Sequence, residues 1–181
     1  HENIGYGPVN LPDQELHTTA LWWQLSQPVL DEAFASRQDA LDGFLGASVA
    51  LHLVATVQVM ADARDLQKAV GSGDGAWFAS TDTRGRGTLR AADGSSAGAD
   101  ALAQFQPTVF LYDAYPGGIG LSEPLYQRRT ELVTQAQALV SACSCTAGCP
   151  ACIGPVLATD ESRTTTPKQL ALRVLRLLDA R

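Results

Sequence analysis

The chain has no cysteine outside one ten-residue stretch, and it lacks the common nucleotide-binding motifs. Neither a Gly-Lys-Ser/Thr phosphate-binding loop nor a Gly-x-Gly-x-x-Gly fingerprint occurs, so no P-loop or dinucleotide site is indicated. No segment resembles a signal peptide, so the sequence gives no support for an oxidising compartment and we expect a cytoplasmic protein. We also identify no apolar run long enough to span a bilayer, and therefore expect no membrane partner.

Charged residues are scarce, at 18% of the chain, and the formal net charge is −6. This acidic balance argues against a standalone nucleic-acid binder that depends on general attraction to phosphates. A hydrophobic content of 45% over 181 residues is typical of one globular domain with its own core. We expect a single domain over residues 1–181. Because residue 1 is His and not Met, we expect a fragment of a longer protein or a processed chain.

The four cysteines are Cys143, Cys145, Cys149 and Cys152, in the spacing C-x-C-x3-C-x2-C. Side chains two residues apart on an extended backbone project to the same side, so the first two thiols can face one point. Gly148 permits a turn with positive φ, after which the last two thiols can close the other half. Four converging thiolates are the ligand set of a structural tetrahedral zinc site, and such a closed site has no open position for catalysis.

Three other interpretations of the cluster remain open. Disulfides between cysteines this close in sequence would be strained and would close very small loops. An iron–sulfur cluster also binds four cysteines, although its usual sequence spacings differ from this one. A redox C-x-x-C pair needs only two thiols. Structural zinc is the favoured cofactor, and an iron–sulfur cluster is the main alternative.

The hydrophobic pattern predicts an α/β domain with a small sheet flanked by helices. Apolar runs of β-prone residues predict strands, and apolar residues at helical spacing predict helices, the longest being apolar on nearly every side. Asp39 is the predicted cap of that long helix, and Thr166-Pro167-Lys168-Gln169 is a capping-box start for the last one. The predicted strands are 15–25, 76–79 and 108–112, the predicted helices are 28–36, 40–61, 121–142 and 167–178, and 71–106 is predicted to be a long, partly flexible excursion.

A glycine-rich turn, 116–120, follows the predicted strand 108–112. Backbone N–H groups in such a turn can bind phosphate, or the glycines can simply let strand and helix approach closely. The close-approach interpretation is favoured. Asp113 at the end of the strand is either an active-site carboxylate or a cap for the turn, and the cap is favoured.

Several polar side chains have two interpretations each. We expect His52, inside an apolar helix, to be a core histidine bonded to backbone and not a metal ligand. Asp62 and Asp65 are expected to cap or solvate a helix end. One group of cationic residues forms a local excess of positive charge. These residues could contact nucleic acid, or they could offset the negative charge of a zinc tetrathiolate, and we favour the second role. They are Arg128, Arg129, Arg163 and Lys168.

A longer signature resembles a known family. Residues 110–121 (FLYDAYPGGIGL), followed by a helix and Cys-x-Cys-x3-Cys-Pro-x-Cys, are similar to the zinc-binding C-terminal domain of superfamily 2 DEAD/DEAH-box DNA helicases of the mitomycin-repair (MrfA/YprA) type. Residues 16–22 and the pair Asp62 and Asp65 fit the same pattern. The resemblance covers about residues 15–155, except the Gly/Ser/Ala-rich residues 71–103, which do not align.

The resemblance implies an accessory domain of an ATP-dependent DNA helicase acting in DNA repair or defence. The motor domains would precede residue 1, so this fragment would not hydrolyse ATP by itself and would have no catalytic residues. The cysteines carry over as zinc ligands, and the domain would pack on the motor and help guide single-stranded DNA. Two alternatives remain: a protein–protein docking module of a multi-component repair or defence assembly, and a small enzyme using Asp113 on a phosphorylated substrate.

Overall fold

The computed structural model describes residues 15–72, 77–78, 89–90, 106–155 and 164–179. Its sheet has the strand order β1-β5-β2-β3-β4, and every one of these pairings is antiparallel. The strands are β1 (Ala20–Gln24), β2 (Leu66–Ser72), β3 (Trp77–Phe78), β4 (Leu89–Arg90) and β5 (Pro107–Asp113). The predicted small sheet flanked by helices is confirmed.

The strand β5 lies between β1 and β2 and is the most buried of the three long strands. Its Val109 pairs with Trp23 of β1 and Val70 of β2, so three apolar side chains share one face of the sheet. All three are buried. Trp22 projects from the opposite face and is 61% exposed, because successive residues of a strand point to opposite sides.

Five helices complete the described fold. The helix α2 packs against the sheet, α4 and α5, and α4 also packs against α5. The predicted capping box at the start of α5 is confirmed: Gln169 N–H donates to Thr166 Oγ1, and Thr166 N–H donates to Gln169 Oε1. The helices are α1 (Gln27–Ala33), α2 (Arg37–Gln58), α3 (Ser122–Gln127), α4 (Arg129–Ala142) and α5 (Pro167–Asp179).

The helix α2 forms the centre of the core, with Phe44, Ala47 and Leu51 fully buried. A Cβ on Gly43 would lie 2.9 Å from the backbone oxygen of Leu170, so glycine is required where α2 and α5 approach each other.

The expectation that no apolar run could span a bilayer is wrong as a statement of length, because α2 is long and apolar enough. However, 67% of its apolar window is buried inside the protein, as in the core helix of a soluble domain.

Three details differ from the sequence prediction. Ser36, and not Asp39, is the N-cap of α2: its Oγ accepts from the Asp39 N–H, which places Asp39 in the first turn. The single helix predicted over 121–142 is two helices separated at Arg128. The strand β2 was not predicted, because its sequence LQKAVGS has a weak β pattern and its strand conformation depends on pairing with β5.

The predicted short strand at 76–79 corresponds to β3. Residues 73–76, 79–88 and 91–105 lie outside the described residues, so the long excursion over 71–106 stays a prediction. The single-domain organisation over residues 1–181 likewise stays a prediction.

Candidate metal centre

The four cysteines converge between α4 and α5. Cys143 is the C-cap residue of α4, with an extended backbone (φ −66°, ψ 131°) that turns the chain out of the helix. Gly148 has the predicted positive φ, 119°, and lets the chain reverse. The chain then turns again, with the N–H groups of Cys152 and Ile153 both donating to the Cys149 oxygen at 3.1 Å.

The four Sγ atoms all lie within 4.8 Å of one another. Three separations are short: Cys143 to Cys149 is 3.6 Å, Cys145 to Cys152 is 3.5 Å, and Cys149 to Cys152 is 3.6 Å. A tetrahedral zinc ion with Zn–S bonds of about 2.3 Å separates its sulfurs by about 3.8 Å. The cysteines are therefore positioned to bind one metal ion, and among the described residues they form the only such group.

The same spacing bears on the rival interpretations. All four thiols are free, and the sulfurs lie well beyond disulfide bonding distance. An iron–sulfur cluster distributes its cysteines over several iron atoms, which holds the sulfurs farther apart than one shared ion does. The donor set and its compact arrangement thus fit a single tetrahedral ion, for which zinc is the usual choice.

The environment of the thiols affects their ionisation unequally. The N–H of Cys145 donates to the Cys143 sulfur and lowers the pKa of the Cys143 thiol to about 7. Burial raises the pKa of Cys145, and it raises that of Cys152 to about 12. Burial alone would therefore keep two thiols protonated, whereas a bound metal ion deprotonates coordinating thiols outright.

Lys168 places a positive charge beside the cysteine loop. Its Nζ donates to the carbonyl oxygens of Cys143 at 2.7 Å and Cys145 at 2.8 Å. Its backbone N–H, at the positive N-terminal end of α5, donates to the Ala147 oxygen at 2.9 Å. Four thiolates on one Zn²⁺ carry a net charge of −2, so both features are electrostatically favourable there. This geometry supports charge compensation by Lys168.

The arginines predicted beside Lys168 lie elsewhere. Arg128 and Arg129 are at the start of α4 and the cysteine cluster follows its last turn, so nearly the whole length of this 14-residue helix separates them. Arg128 forms a bidentate ion pair with Glu131, and Arg129 lies over the ring of Tyr126, 4.9 Å from its centroid. Offsetting the thiolate charge is thus the wrong interpretation for these two arginines. Arg163 lies outside the described residues.

The glycine turn after β5 is organised around Asp113. Its Oδ2 accepts the N–H groups of Ile119, Gly120 and Leu121 at 2.7, 2.8 and 3.2 Å, and its Oδ1 accepts the Ser122 hydroxyl at 2.7 Å. The carboxylate is fully buried. These amides donate to Asp113, so they are not directed at a phosphate ligand, and the turn-cap interpretation holds.

The other polar residues have structural partners. His52 Nε2 lies 2.8 Å from the Leu66 oxygen, as expected for a core histidine bonded to backbone. Asp62 Oδ1 accepts the Arg64 N–H in the turn after α2, and Asp65 Oδ1 accepts the Tyr115 hydroxyl. Sequence reasoning did not find the role of Asp65, because its partner is 50 residues away in sequence.

Comparison with known proteins identifies the family. Residues 47–153, more than half of the chain, match the family model described as the MrfA Zn-binding domain. The chain is 32% identical over 178 residues to an uncharacterised ATP-dependent helicase, YprA of Bacillus subtilis, covering 98% of this chain and 19% of that protein. It is also 40% identical over 45 residues to an uncharacterised protein of Methanocaldococcus jannaschii, covering 25% of this chain and 40% of that protein.

Two solved structures are similar to the whole fold. One is the DUF1998 helicase MrfA bound to DNA, with a TM-score of 0.62, 29% identity, and coverage of 97% of this chain and 19% of that one. The other is MrfA bound to DNA and AMPPNP, with a TM-score of 0.56, 30% identity, and coverage of 97% and 17%. The chain therefore spans about a fifth of the length of its helicase relatives, and it belongs to the MrfA Zn-binding domain family, with structural zinc as its cofactor.

Proposed function

We propose that this chain is the accessory zinc-binding domain of an ATP-dependent DNA helicase in DNA repair or defence. In this proposal it packs on the motor and helps to guide single-stranded DNA, and Cys143, Cys145, Cys149 and Cys152 are the zinc ligands. The observation that carries it is the match of 97% of the chain to part of a helicase bound to DNA. The chain itself supplies no ATPase centre in this scheme, and ATP is used by the motor.

The zinc ion has a structural role in this proposal. Four protein sulfurs complete a tetrahedral ion, so no position remains for water or substrate. The site joins the end of α4 to the start of α5 through the contacts of Lys168 with Cys143 and Cys145. The junction of α3 and α4 lies at the opposite end of α4 from this site.

That junction is our candidate for the contact with single-stranded DNA. Tyr126 is 53% exposed, and the guanidinium of Arg129 lies over its ring. An exposed ring can stack on a base of any type, and a neighbouring arginine can bind the adjoining phosphate. A local site of this kind is compatible with the net charge of −6, because it does not require a positive surface overall. Arg128 is less available because of its bidentate pair with Glu131.

The test compares Arg129→Gln with Arg176→Gln in the full-length helicase. Arg176 is an exposed cation on α5, so the control removes the same charge at another place. We expect Arg129→Gln to weaken single-stranded DNA binding several-fold and to reduce the slope of log affinity against log salt by about one, with zinc content unchanged. Tyr126→Ala should weaken binding by about tenfold through loss of stacking.

Unchanged DNA affinity and salt slope in both Arg129→Gln and Tyr126→Ala would remove the junction from the DNA path. If, in addition, deletion of the whole domain left DNA binding intact, the guiding role would be lost. The alternative, a docking module of a multi-component assembly, would then be the better account, and the acidic net charge is the observation that favours it.

A further inference from the structure

Three apolar side chains form an exposed face at the C-terminal end of α2. Leu53 is 36% exposed, Val57 is 75% exposed and Met60 is 92% exposed. Leu53 and Val57 are four residues apart and so lie on one side of α2, and Met60 follows two residues after the helix ends. We call Leu53, Val57 and Met60 the α2 apolar face. The rest of α2 is largely buried in the domain, so this face interrupts an otherwise well-covered helix.

Met60 also has an unfavourable backbone conformation. Its N–H donates to the Val57 oxygen and the Ala61 N–H donates to the Thr56 oxygen, which is the Schellman pattern of helix termination. This pattern places Met60 at the position where glycine is preferred, and its φ is +51°. Among the described residues it is the only non-glycine with positive φ. An exposed apolar side chain on a strained backbone has no folding advantage within this domain.

The composition around the face indicates the chemistry of its partner. Residues 49–61 contain no Lys, Arg, Asp or Glu. This stretch itself offers no cation to the phosphates of DNA or to anionic lipid headgroups. The nearest charge along the chain is Asp62, directly after the helix end. An uncharged apolar patch at the end of a helix fits an apolar pocket on another protein surface.

We propose that the α2 apolar face docks into an apolar pocket on the motor part of the same polypeptide, with Met60 as the inserted side chain. This inference rests on the proposed function and names the surface by which the domain packs on its motor. In a stable complex of separate proteins, each partner buries about 800 Å² of surface area. The exposed area of three side chains is much smaller. A tethered partner has a high effective concentration, so a small contact is sufficient. A second copy of the chain would lack this advantage.

Met60 provides its own probe, because it is the only methionine in this chain. The full-length helicase is treated with dilute hydrogen peroxide, without DNA, and oxidation of the Met60 peptide is followed by mass spectrometry. The reference is the same protein unfolded in guanidinium. A covered Met60 should oxidise at least tenfold more slowly than the reference. A Met60 that oxidises at the reference rate to within about twofold would overturn the proposal, since its exposure in the domain alone is 92%.

Val57→Lys in the full-length protein should return the Met60 oxidation rate to the reference, since a charge cannot enter an apolar pocket. Zinc content monitors folding of the domain. Ile119→Lys places the same charge on an exposed apolar residue of the turn after β5 and should leave protection intact.

Two other outcomes would overturn the proposal. Protection of Met60 that disappears on dilution would assign the face to a second copy of the protein. Protection that requires added phosphatidylglycerol vesicles would assign the face to a membrane. Because no DNA is present, these results are independent of the DNA-binding test.

Discussion

The ammonium group of Lys168 donates to the carbonyl oxygen of Cys143 at 2.7 Å, which joins the first turn of α5 to the end of α4. Twenty-five residues separate the two in sequence. The contact satisfies a carbonyl at a helix C-terminus, where no intrahelical donor is available, and it places a positive charge beside the thiolates. Lys168 therefore contacts the cysteine loop without belonging to the group of four candidate ligands.

Lys168→Met is expected to weaken zinc binding by about tenfold, as is typical when a partner of the ligand shell is removed. The side chain keeps its length but loses both hydrogen bonds and the charge. Zinc affinity is measured by competition with a chromogenic chelator. Arg176→Met, near the other end of α5, is the matched control and should retain native affinity. Equal affinities for the two variants would show that Lys168 does not support the metal centre.

Cys152→Ser should abolish stoichiometric zinc binding and lower the melting temperature by about 10 °C or more, because zinc-binding free energy contributes directly to folding. Cys152 is the most buried of the four cysteines, and among the described residues the cluster has no fifth candidate ligand. Ser144→Ala, at an exposed residue within the same loop, is the control. Elemental analysis gives the metal. A brown protein containing iron would contradict the zinc assignment, and a stably folded protein with metal-free, reduced thiols would contradict a metal centre altogether.

Asp113→Asn is expected to destabilise the chain by about 2 kcal/mol or more at neutral pH, because hydrogen bonds to a buried charge are lost. Burial raises the pKa of Asp113, but the Ser122 hydroxyl and three backbone amides together lower it below the usual 3.8. The stabilisation is therefore complete above pH 3.8 and is lost as the pH falls through the lower folded-state pKa. The measurement is denaturant unfolding across pH.

The exposed Asp31→Asn serves as the control for Asp113→Asn. The difference between wild type and Asp113→Asn should narrow below pH 3.8. A difference that does not depend on pH would mean that packing, and not the carboxylate charge, determines the effect. If the parent's activities survive in a folded Asp113→Asn or Asp113→Ala protein, an enzymatic role of this residue is eliminated.

His52 is expected to make stability depend on pH in the weakly acidic range. Burial lowers its pKa below 6.5; the Leu66 carbonyl opposes this shift and Lys68 adds to it. The unfolded chain takes up a proton near pH 6.5 while the folded chain does not, so stability falls as the pH drops below 6.5 until the folded pKa is reached. The slope is at most about 1.4 kcal/mol per pH unit.

His52→Gln should reduce this slope while keeping an amide donor near the Leu66 carbonyl. Unfolding free energies at several pH values between 5 and 7.5 would test the expectation, with His17→Gln, at an exposed histidine, as the control. An identical slope in His52→Gln and wild type would assign the pH dependence to other groups.

Met60→Gly should stabilise the isolated chain by about 1 kcal/mol, because glycine adopts the left-handed conformation without steric cost. Met60→Ala keeps the strain while removing the long side chain, and should have little effect because that side chain is 92% exposed. The pair separates backbone strain from side-chain contacts. Equal melting temperatures for the two variants would show that the conformation at this residue is not strained.

Much of the metal centre could be predicted from sequence, because four cysteines within ten residues are brought together by local backbone geometry. The extended backbone at Cys143 and the turn at Gly148 need no distant partner. The capping box at Thr166 and Gln169 was predicted for the same reason. The resemblance of residues 110–121 to a family signature indicated the zinc-binding domain family, which the family match confirms.

Contacts between segments distant in the chain were harder to predict from the sequence. The strand β2 exists because β5 offers it a row of backbone partners, and no local pattern in 66–72 indicates it strongly. The interruption at Arg128 follows from different attachments: Ser122 holds α3 to the sheet through the Thr19 oxygen, whereas α4 packs on α2 and α5. Grouping Arg128 and Arg129 with Lys168 fails because the length of α4 lies between these arginines and the cysteines.

By itself, the sequence determined which atoms can bind a metal and which segments can form a helix or a strand, because short-range spacing and backbone preferences act within a few residues. Only the tertiary structure decided that Lys168 reaches the cysteine loop, that Asp113 is enclosed by amides, and that Met60 is left exposed. Each of these outcomes depends on segments far apart in sequence being packed at a particular distance and angle, and the core that α2 forms with the sheet and α5 sets that geometry.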